Sequence, residues 1–332
     1  MSETMRAAVL NGTGGPGTLR VERIPVPVLR SGEVLIRVAA FGLNNAEVLQ
    51  RRGALPAPPG GVPGLECAGT VAVTGPEVTA LRPGDRVAAL TRSGAYAEYV
   101  AVPEGACLRL PEGLDPVVAG ILPEAAATAW WNLVHRGRVR AGDRVLVHGA
   151  AGGVGSFVVQ LARGLGAEVI GTARGPSKTR LCVDLGCRHV LDYGAQDIFA
   201  ELRRLAPDGV DVIIDNQGGP TLAANLAALA PLGRLVVVGT QGGAGAALDL
   251  SMLMARGAEI SSSSLGKLDD AYRLRLCREV EREVLPRIAV GELRPVLDRR
   301  FPLDQISEAH RRFEDPGRVG KVAVVMAEGC GD

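Results

Sequence analysis

The chain has 332 residues, of which 47% are hydrophobic and 22% charged, with a formal net charge of +1. This length exceeds one ordinary hydrophobic core and sets two domains as the expectation. The near-neutral balance gives no electrostatic case for a nucleic-acid or membrane partner, and abundant glycine (44 residues) with few aromatics (3%) suits tight α/β packing rather than disorder.

Short apolar strands open the chain. Arg6–Leu10, Glu33–Phe41, Gly69–Val73 and Arg86–Leu90 alternate or run apolar, and Pro16-Gly17, Pro59-Gly60-Gly61 and Pro83-Gly84-Asp85 separate them. The pattern predicts a mostly β domain over residues 1–122. From there to Ser264, strand candidates Val145–His148, Glu168–Ala173, His189–Tyr193, Val210–Asp215 and Arg234–Gly239 alternate with helical stretches at Val154–Leu165, Ser177–Leu185, Ala195–Leu205 and Thr221–Ala230. In the first helix Val154, Phe157, Val158, Leu161, Ala162 and Leu165 share one face. Regular β-α alternation predicts an α/β domain over 123–264, a Rossmann-type doubly wound parallel sheet covered on both faces. The tail reads as a long helix (Leu268–Val290), a strand near Pro295–Phe301, a helix (Asp304–Phe313) and a strand (Lys321–Met326). These elements are too few for a third domain. Residues 265–332 are expected to return to the β domain and make it discontinuous.

Six cysteines, Cys67, Cys107, Cys182, Cys187, Cys277 and Cys330, are scattered with no CxxC pair, as expected of a reduced cytoplasmic protein. Met1–Leu10 lacks the pattern of a secretory signal, and no apolar run approaches the roughly 18–20 residues that span a bilayer, so a soluble chain is expected.

The strongest local signal is Val145-Leu-Val-His-Gly-Ala-Ala-Gly-Gly-Val-Gly-Ser156, an apolar strand running through glycines into an amphipathic helix. Gly152 lets backbone approach a pyrophosphate, and Gly155 lets the helix pack closely on the strand, with Ala151, Gly153 and Val154 completing the cradle. Free N–H groups and the helix dipole favour phosphate there. Ala150 stands where the dinucleotide fingerprint usually has its first glycine. An NAD site places a carboxylate at the end of the second strand, about 20 residues on. Here that strand ends in Thr172-Ala173-Arg174-Gly175; Arg174 and Lys178 offer cations to a 2′-phosphate, and Tyr193 ends the next strand on the same edge. The expected cofactor is NADPH.

With Gly42-Leu-Asn-Asn-Ala-Glu47, Gly64-Leu-Glu-Cys-Ala-Gly69, Pro83-Gly-Asp-Arg-Val87, Gly94-Ala-Tyr-Ala-Glu-Tyr99 and His148–Ser156, the chain resembles, over essentially its whole length, the zinc-free quinone oxidoreductase branch of the medium-chain dehydrogenase/reductase superfamily. The resemblance implies a GroES-like catalytic domain beside the Rossmann domain. Where zinc-dependent members carry a cysteine and a histidine, this chain has Asn44 and Leu65, neither suited to the metal, so no metal is expected and Glu66 is read as structural. It also implies Asn44 as a donor to a substrate carbonyl, Tyr96 as pocket wall or donor, and Thr128 beside the nicotinamide. Gly239, Thr240, Gln241 and Ser263 are implied as further cofactor contacts. A homodimer through the sheet edge near Ala258–Ser262 follows by the same resemblance. Hydride delivery to a quinone or enone spreads charge that hydrogen-bond donors can support, whereas a simple ketone benefits more from a Lewis acid. The expected activity is therefore NADPH-dependent reduction of quinones or related conjugated carbonyl compounds. Reduction of the C=C bond of an enone or enoyl thioester, and a cofactor-binding structural or regulatory role without turnover, stand as alternatives.

Overall fold

The structure, a computed structural model, describes residues 3–326, so Cys330 lies outside the described residues. In chain order the strands are β1 (Thr4–Leu10), β2 (Leu19–Pro25), β3 (Glu33–Gly42), β4 (Glu66–Thr74), β5 (Arg86–Leu90), β6 (Tyr99–Pro103) and β7 (Cys107–Arg109), followed by β8 (Arg144–Val147), β9 (Glu168–Ala173), β10 (His189–Asp192), β11 (Val210–Asp215), β12 (Leu229–Val237) and β13 (Glu259–Ser262), with β14 (Leu297–Pro302) and β15 (Lys321–Val325) last. The α-helices are α1 (Asn45–Arg51), α2 (Pro116–Gly120), α3 (Pro123–Trp130), α4 (Gly153–Gly164), α5 (Pro176–Asp184), α6 (Ile198–Leu205), α7 (Leu222–Ala228), α8 (Leu250–Arg256), α9 (Asp270–Glu283), α10 (Leu285–Ala289) and α11 (Ile306–Glu314). Strands β5, β9 and β11 have the bounds the apolar patterns predict. The long helix expected over Leu268–Val290 is instead two, α9 and α10. Pro286 at the start of α10 has no N–H to continue α9, and Val284 takes up the turn with φ −102° and ψ −45°.

The chain divides into two compact units, one made of residues up to Ala127, Asp269–Gly291 and the stretch from Pro295, the other of Thr128–Leu268 with Glu292–Arg294. The passage from the first unit to the second lies inside α3, whose end widens into a π-helical stretch at Trp131–Arg136. The first unit holds a seven-stranded sheet in the order β14-β15-β3-β4-β5-β7, with β6 also paired to β3, and a separate β1-β2 hairpin. Strand β3 is its spine, pairing antiparallel with β4, β6 and β15. Ile36, Val38, Phe41, Val71, Val87, Val100, Val322 and Val324 pack into its core. Chain ends far apart in sequence thus meet on one strand, which makes this unit discontinuous.

The second unit is a six-stranded sheet in the order β10-β9-β8-β11-β12-β13, every pairing parallel. Val145, Leu146, Val147, Val212, Ile213 and Ile214 are buried, as strands covered on both faces require. From β8 the connections run first to β9 and β10, then return to β11 on its other side. That reversal creates a crevice at the carboxyl ends of β8 and β11, where open α/β sheets take ligands.

Gly69 marks the closest backbone approach in the β unit: a Cβ there would lie 2.0 Å from the Arg37 carbonyl oxygen. The β3–β4 register also shifts between Val38 and Ala40. Gly69→Ala is expected to lower the unfolding free energy by about 1–3 kcal/mol through overpacking, read by urea denaturation.

Candidate active site

The turn after β8 is built by glycine. Gly149 has φ +63°, and a Cβ on it would meet Asn216 Nδ2 at 2.4 Å. Gly152 donates its N–H to the Gly149 carbonyl at 2.9 Å and starts α4 with no side-chain cap. A Cβ on Gly155 would lie 2.3 Å from the Gly149 oxygen, so only glycine lets the helix close onto the turn. Within α4, Ser156 donates its N–H to Gly152 O at 2.9 Å. The N–H groups of Gly153, Val154 and Gly155 precede it on partly exposed residues, whereas Ala151 is buried beneath them. An uncapped helix N-terminus with glycine-only clearance fits a pyrophosphate.

Below the turn, His148 is buried and fixed by Thr172 Oγ1 (3.2 Å from Nδ1) and Asn225 Oδ1 (2.8 Å from Nε2). Burial pushes its imidazole below the ordinary histidine range. At the end of β9, Arg174 is exposed, and Lys178, in the first turn of α5, is partly buried. The Asp192 carboxylate accepts from Gly175 N at 3.1 Å and Gly194 N at 2.8 Å and pins this corner; Tyr193 beside it is exposed. Past β12, Gly239 packs on Asn216 and Gln241 donates its N–H to Asn216 O at 3.0 Å, while Thr240 is exposed. Ser263, just beyond β13, donates its N–H to Val237 O at 3.3 Å. Thr128 is partly exposed, its carbonyl accepting from Asn132 Nδ2 at 2.7 Å. Sequence reasoning did not single out Asn216, because nothing local shows that the β11 and β12 loops share backbone bonds.

The first unit carries a second polar group, and it differs from expectation. Asn44 caps α1, with its Oδ1 accepting from Lys321 Nζ. Its Nδ2 donates to Glu66 Oε1 at 3.1 Å and to Glu47 Oε1 at 3.4 Å. Both amide hydrogens therefore face carboxylates, which corrects the expected donor role toward a substrate carbonyl. Glu47 also accepts from Asn44 N (2.8 Å) and Leu65 N (3.1 Å). Lys321 Nζ pairs with Glu66 Oε1 at 2.5 Å and donates to Leu43 O at 3.1 Å. Glu66 Oε2 accepts from Glu124 N at 2.9 Å. Glu66 is thus bonded to groups of its own unit. Tyr96 is corrected too: it is fully buried, stacks on Phe41 with centroids 4.4 Å apart, and sets its hydroxyl 3.3 Å from His310 Nε2. A ring sealed in the core cannot wall a pocket. Among the described residues no three His, Cys, Asp or Glu side chains are grouped to hold a metal ion.

Burial sets the protonation of this cluster. It pushes Glu47 up to about 7 despite the opposing Lys321 charge. Burial, reinforced by the Glu66 and Glu47 carboxyls, pushes Glu124 up to about 8. A folded value above the ordinary 4.5 means the folded chain keeps protons that the unfolded chain releases. This stabilisation is complete below about 4.5 and is lost as pH rises through about 8. Measured as the difference from Glu124→Gln, the wild-type unfolding free energy should fall across that window; a pH-independent difference would contradict the assignment. Removing the ammonium should cost more. Lys321→Met leaves Glu66 buried without its partner and is expected to destabilise by about 3–5 kcal/mol in equilibrium unfolding, with Glu66→Met added on top restoring much of the loss.

Comparison with known proteins places these two units. The alcohol dehydrogenase GroES-like domain family matches residues 30–112, and the zinc-binding dehydrogenase family matches residues 153–282. A synaptic vesicle membrane protein VAT-1 homolog of Danio rerio is 33% identical over 96% of this chain and 69% of its own length. Human quinone oxidoreductase is 30% identical over 97% of this chain and 98% of its own. Among solved structures, mycobacterial Rv1454c in complex with NADPH superposes with a TM-score of 0.88 at 32% identity, covering 97% of this chain and 99% of that one. Sequence, fold and glycine turn agree: the chain belongs to the quinone oxidoreductase branch of the medium-chain dehydrogenase/reductase superfamily.

Proposed function

We propose that this oxidoreductase binds NADPH and reduces quinones or related conjugated carbonyl compounds without a metal. The observation that carries the reading is the uncapped N-terminus of α4 behind Gly152 and Gly155, on the same sheet edge as the Arg174 cation at the end of β9. The glycine turn would hold the pyrophosphate, Arg174 and Lys178 the 2′-phosphate, and Gly239, Thr240 and Gln241 the far half of the dinucleotide. When bound, NADPH supplies a hydride to an electron-poor carbon conjugated with a carbonyl. The NADPH complex of the similar mycobacterial protein supports this cofactor.

His148, held neutral by burial and fixed by Thr172 and Asn225, keeps the floor of the turn uncharged beneath the phosphates. The five described cysteines are free and buried, which supports a reducing, cytoplasmic setting; no helix of the described chain is long and apolar enough to cross a membrane. A second copy would pair along β13, the edge of the sheet, where Ile260 is exposed; Leu250 and Met254 of α8 are exposed as well.

Replacing Arg174 and Lys178 together with alanine should weaken NADPH binding on the order of 10- to 100-fold, the loss of a charge-assisted phosphate contact, and leave NADH nearly unchanged. Isothermal titration reads both, and equal losses would remove the phosphate role. Consumption of NADPH with a quinone, an enone and an enoyl thioester separates the readings. Turnover of the thioester alone would favour C=C reduction, and tight binding with no turnover on any of them would favour a role without catalysis. Ile260→Lys should shift a dimer toward monomer in light scattering, whereas a wild-type monomer would end the pairing proposal.

A further inference from the structure

We propose that Cys182 and Cys187, at the carboxyl end of α5, are an oxidative modification site that a hydroperoxide closes to a disulfide. The site lies wholly within the second unit and needs no bound cofactor. Helix α5 ends in a Schellman turn. Gly186, with φ +106°, donates its N–H to Val183 O at 2.9 Å, and Cys187 donates its N–H to Cys182 O at 3.0 Å. Such a turn sets a side chain of the last helical turn against one just past the helix, a meeting that commonly joins two apolar groups. Here it joins two thiols, hydrogen-bonded to each other. With that backbone N and O 3.0 Å apart, covalent geometry keeps the two Cα atoms within about 7 Å, the reach of a disulfide.

Strand β9 makes room for the pair. A Cβ on Gly171 would lie 2.8 Å from Cys187 Sγ and 3.8 Å from Cys182 Cβ, so both side chains converge on the space this glycine leaves. Cys67 and Cys107 offer a contrast: they lie on opposite sides of β5, each paired with Ala89, and two strand spacings, about 10 Å, are too far to bridge. The pair at α5 is also asymmetric. The Cys187 thiol donates to the Cys182 sulfur and draws it below the ordinary thiol range, against burial and with help from the Lys178 ammonium. Cys182 is therefore the nucleophile and Cys187 the resolving thiol. Exposed Val183, Asp184 and Arg188 flank them, so fraying of the last helical turn admits a small oxidant to thiols that the closed fold buries.

In the first step the Cys182 thiolate attacks one peroxide oxygen, the O–O bond breaks, and the alcohol leaves with the proton that the thiol released. The Cys187 sulfur then attacks the sulfenic acid on Cys182. An S–S bond forms, the S–O bond breaks, and hydroxide leaves as water with the second thiol's proton. The two thiols give up two electrons, and one hydroperoxide is reduced to an alcohol and water. A transient bridge of this kind suits a chain whose described cysteines are otherwise reduced.

The test treats the reduced full-length protein, with its six cysteines as thiols, with one equivalent of tert-butyl hydroperoxide, followed by denaturation and alkylation. Trypsin cuts after Arg180 and Arg188, so both cysteines fall in one peptide, Leu181–Arg188. That peptide should resist alkylation and weigh two hydrogens less than its reduced form. The protein should lose two of its six thiols, and dithiothreitol should restore both. In Cys187→Ser, Cys182 should stop at a sulfenic acid that dimedone traps; in Cys182→Ser, Cys187 should remain a thiol. The wild-type peptide map decides the matter even where a variant fails to fold. Retention of all six thiols, loss of thiols elsewhere in the chain first, or oxidation of this peptide to sulfinic acid without a bridge would overturn the site.

Discussion

One ammonium group governs the β unit. Lys321 arrives on β15, near the end of the chain, and is buried against Glu66 of β4 and the carbonyl of Leu43 beyond β3. A charge taken out of water is tolerated only when paired and hydrogen-bonded, so the last strand must dock in one register for the pair to form. That docking completes β3, the spine on which the sheet is assembled. The same ammonium orients Asn44, and through Asn44 the start of α1.

The cluster around this pair is polar but incomplete. One carboxyl is neutralised by a cation, one is surrounded by N–H donors, and one has neither. Like charges gathered at low dielectric keep a proton among them.

The dinucleotide unit obeys a different constraint, the distance between a helix and the turn that precedes it. A Cβ on Gly149 would lie 2.4 Å from Asn216 Nδ2, and one on Gly155 would lie 2.3 Å from the Gly149 oxygen, so a side chain at either position would force a shift. Beneath them His148 is bonded at both ring nitrogens, and burial lowers its imidazole below the ordinary histidine range, while the turn's own N–H groups stay free of side-chain caps.

Much of this was legible in the residues alone. Strands β9 and β11 are unbroken apolar runs bounded by polar residues, and the glycine turn stands between a strand and an amphipathic helix, so local pattern sufficed. Strand β2 and the short β7 escaped notice: their burial alternates weakly, and pairing across the sheet, not local propensity, makes them strands. Tyr96 read as a pocket residue because an exposed and a buried tyrosine look alike in one dimension; its partner His310 is remote in sequence and joins it only in the folded core. Lys321 and Glu124 carried no motif. A lysine at the head of an apolar strand and a glutamate in the first turn of a helix are ordinary local choices, and their meaning comes from carboxyls brought beside them by β4 and α1. The sequence by itself determined the two kinds of unit and the glycine turn, because periodicity and glycine sterics act over a few neighbouring residues. The protonation of the β unit was decided only by tertiary structure, because charge coupling acts through space between groups the chain keeps far apart.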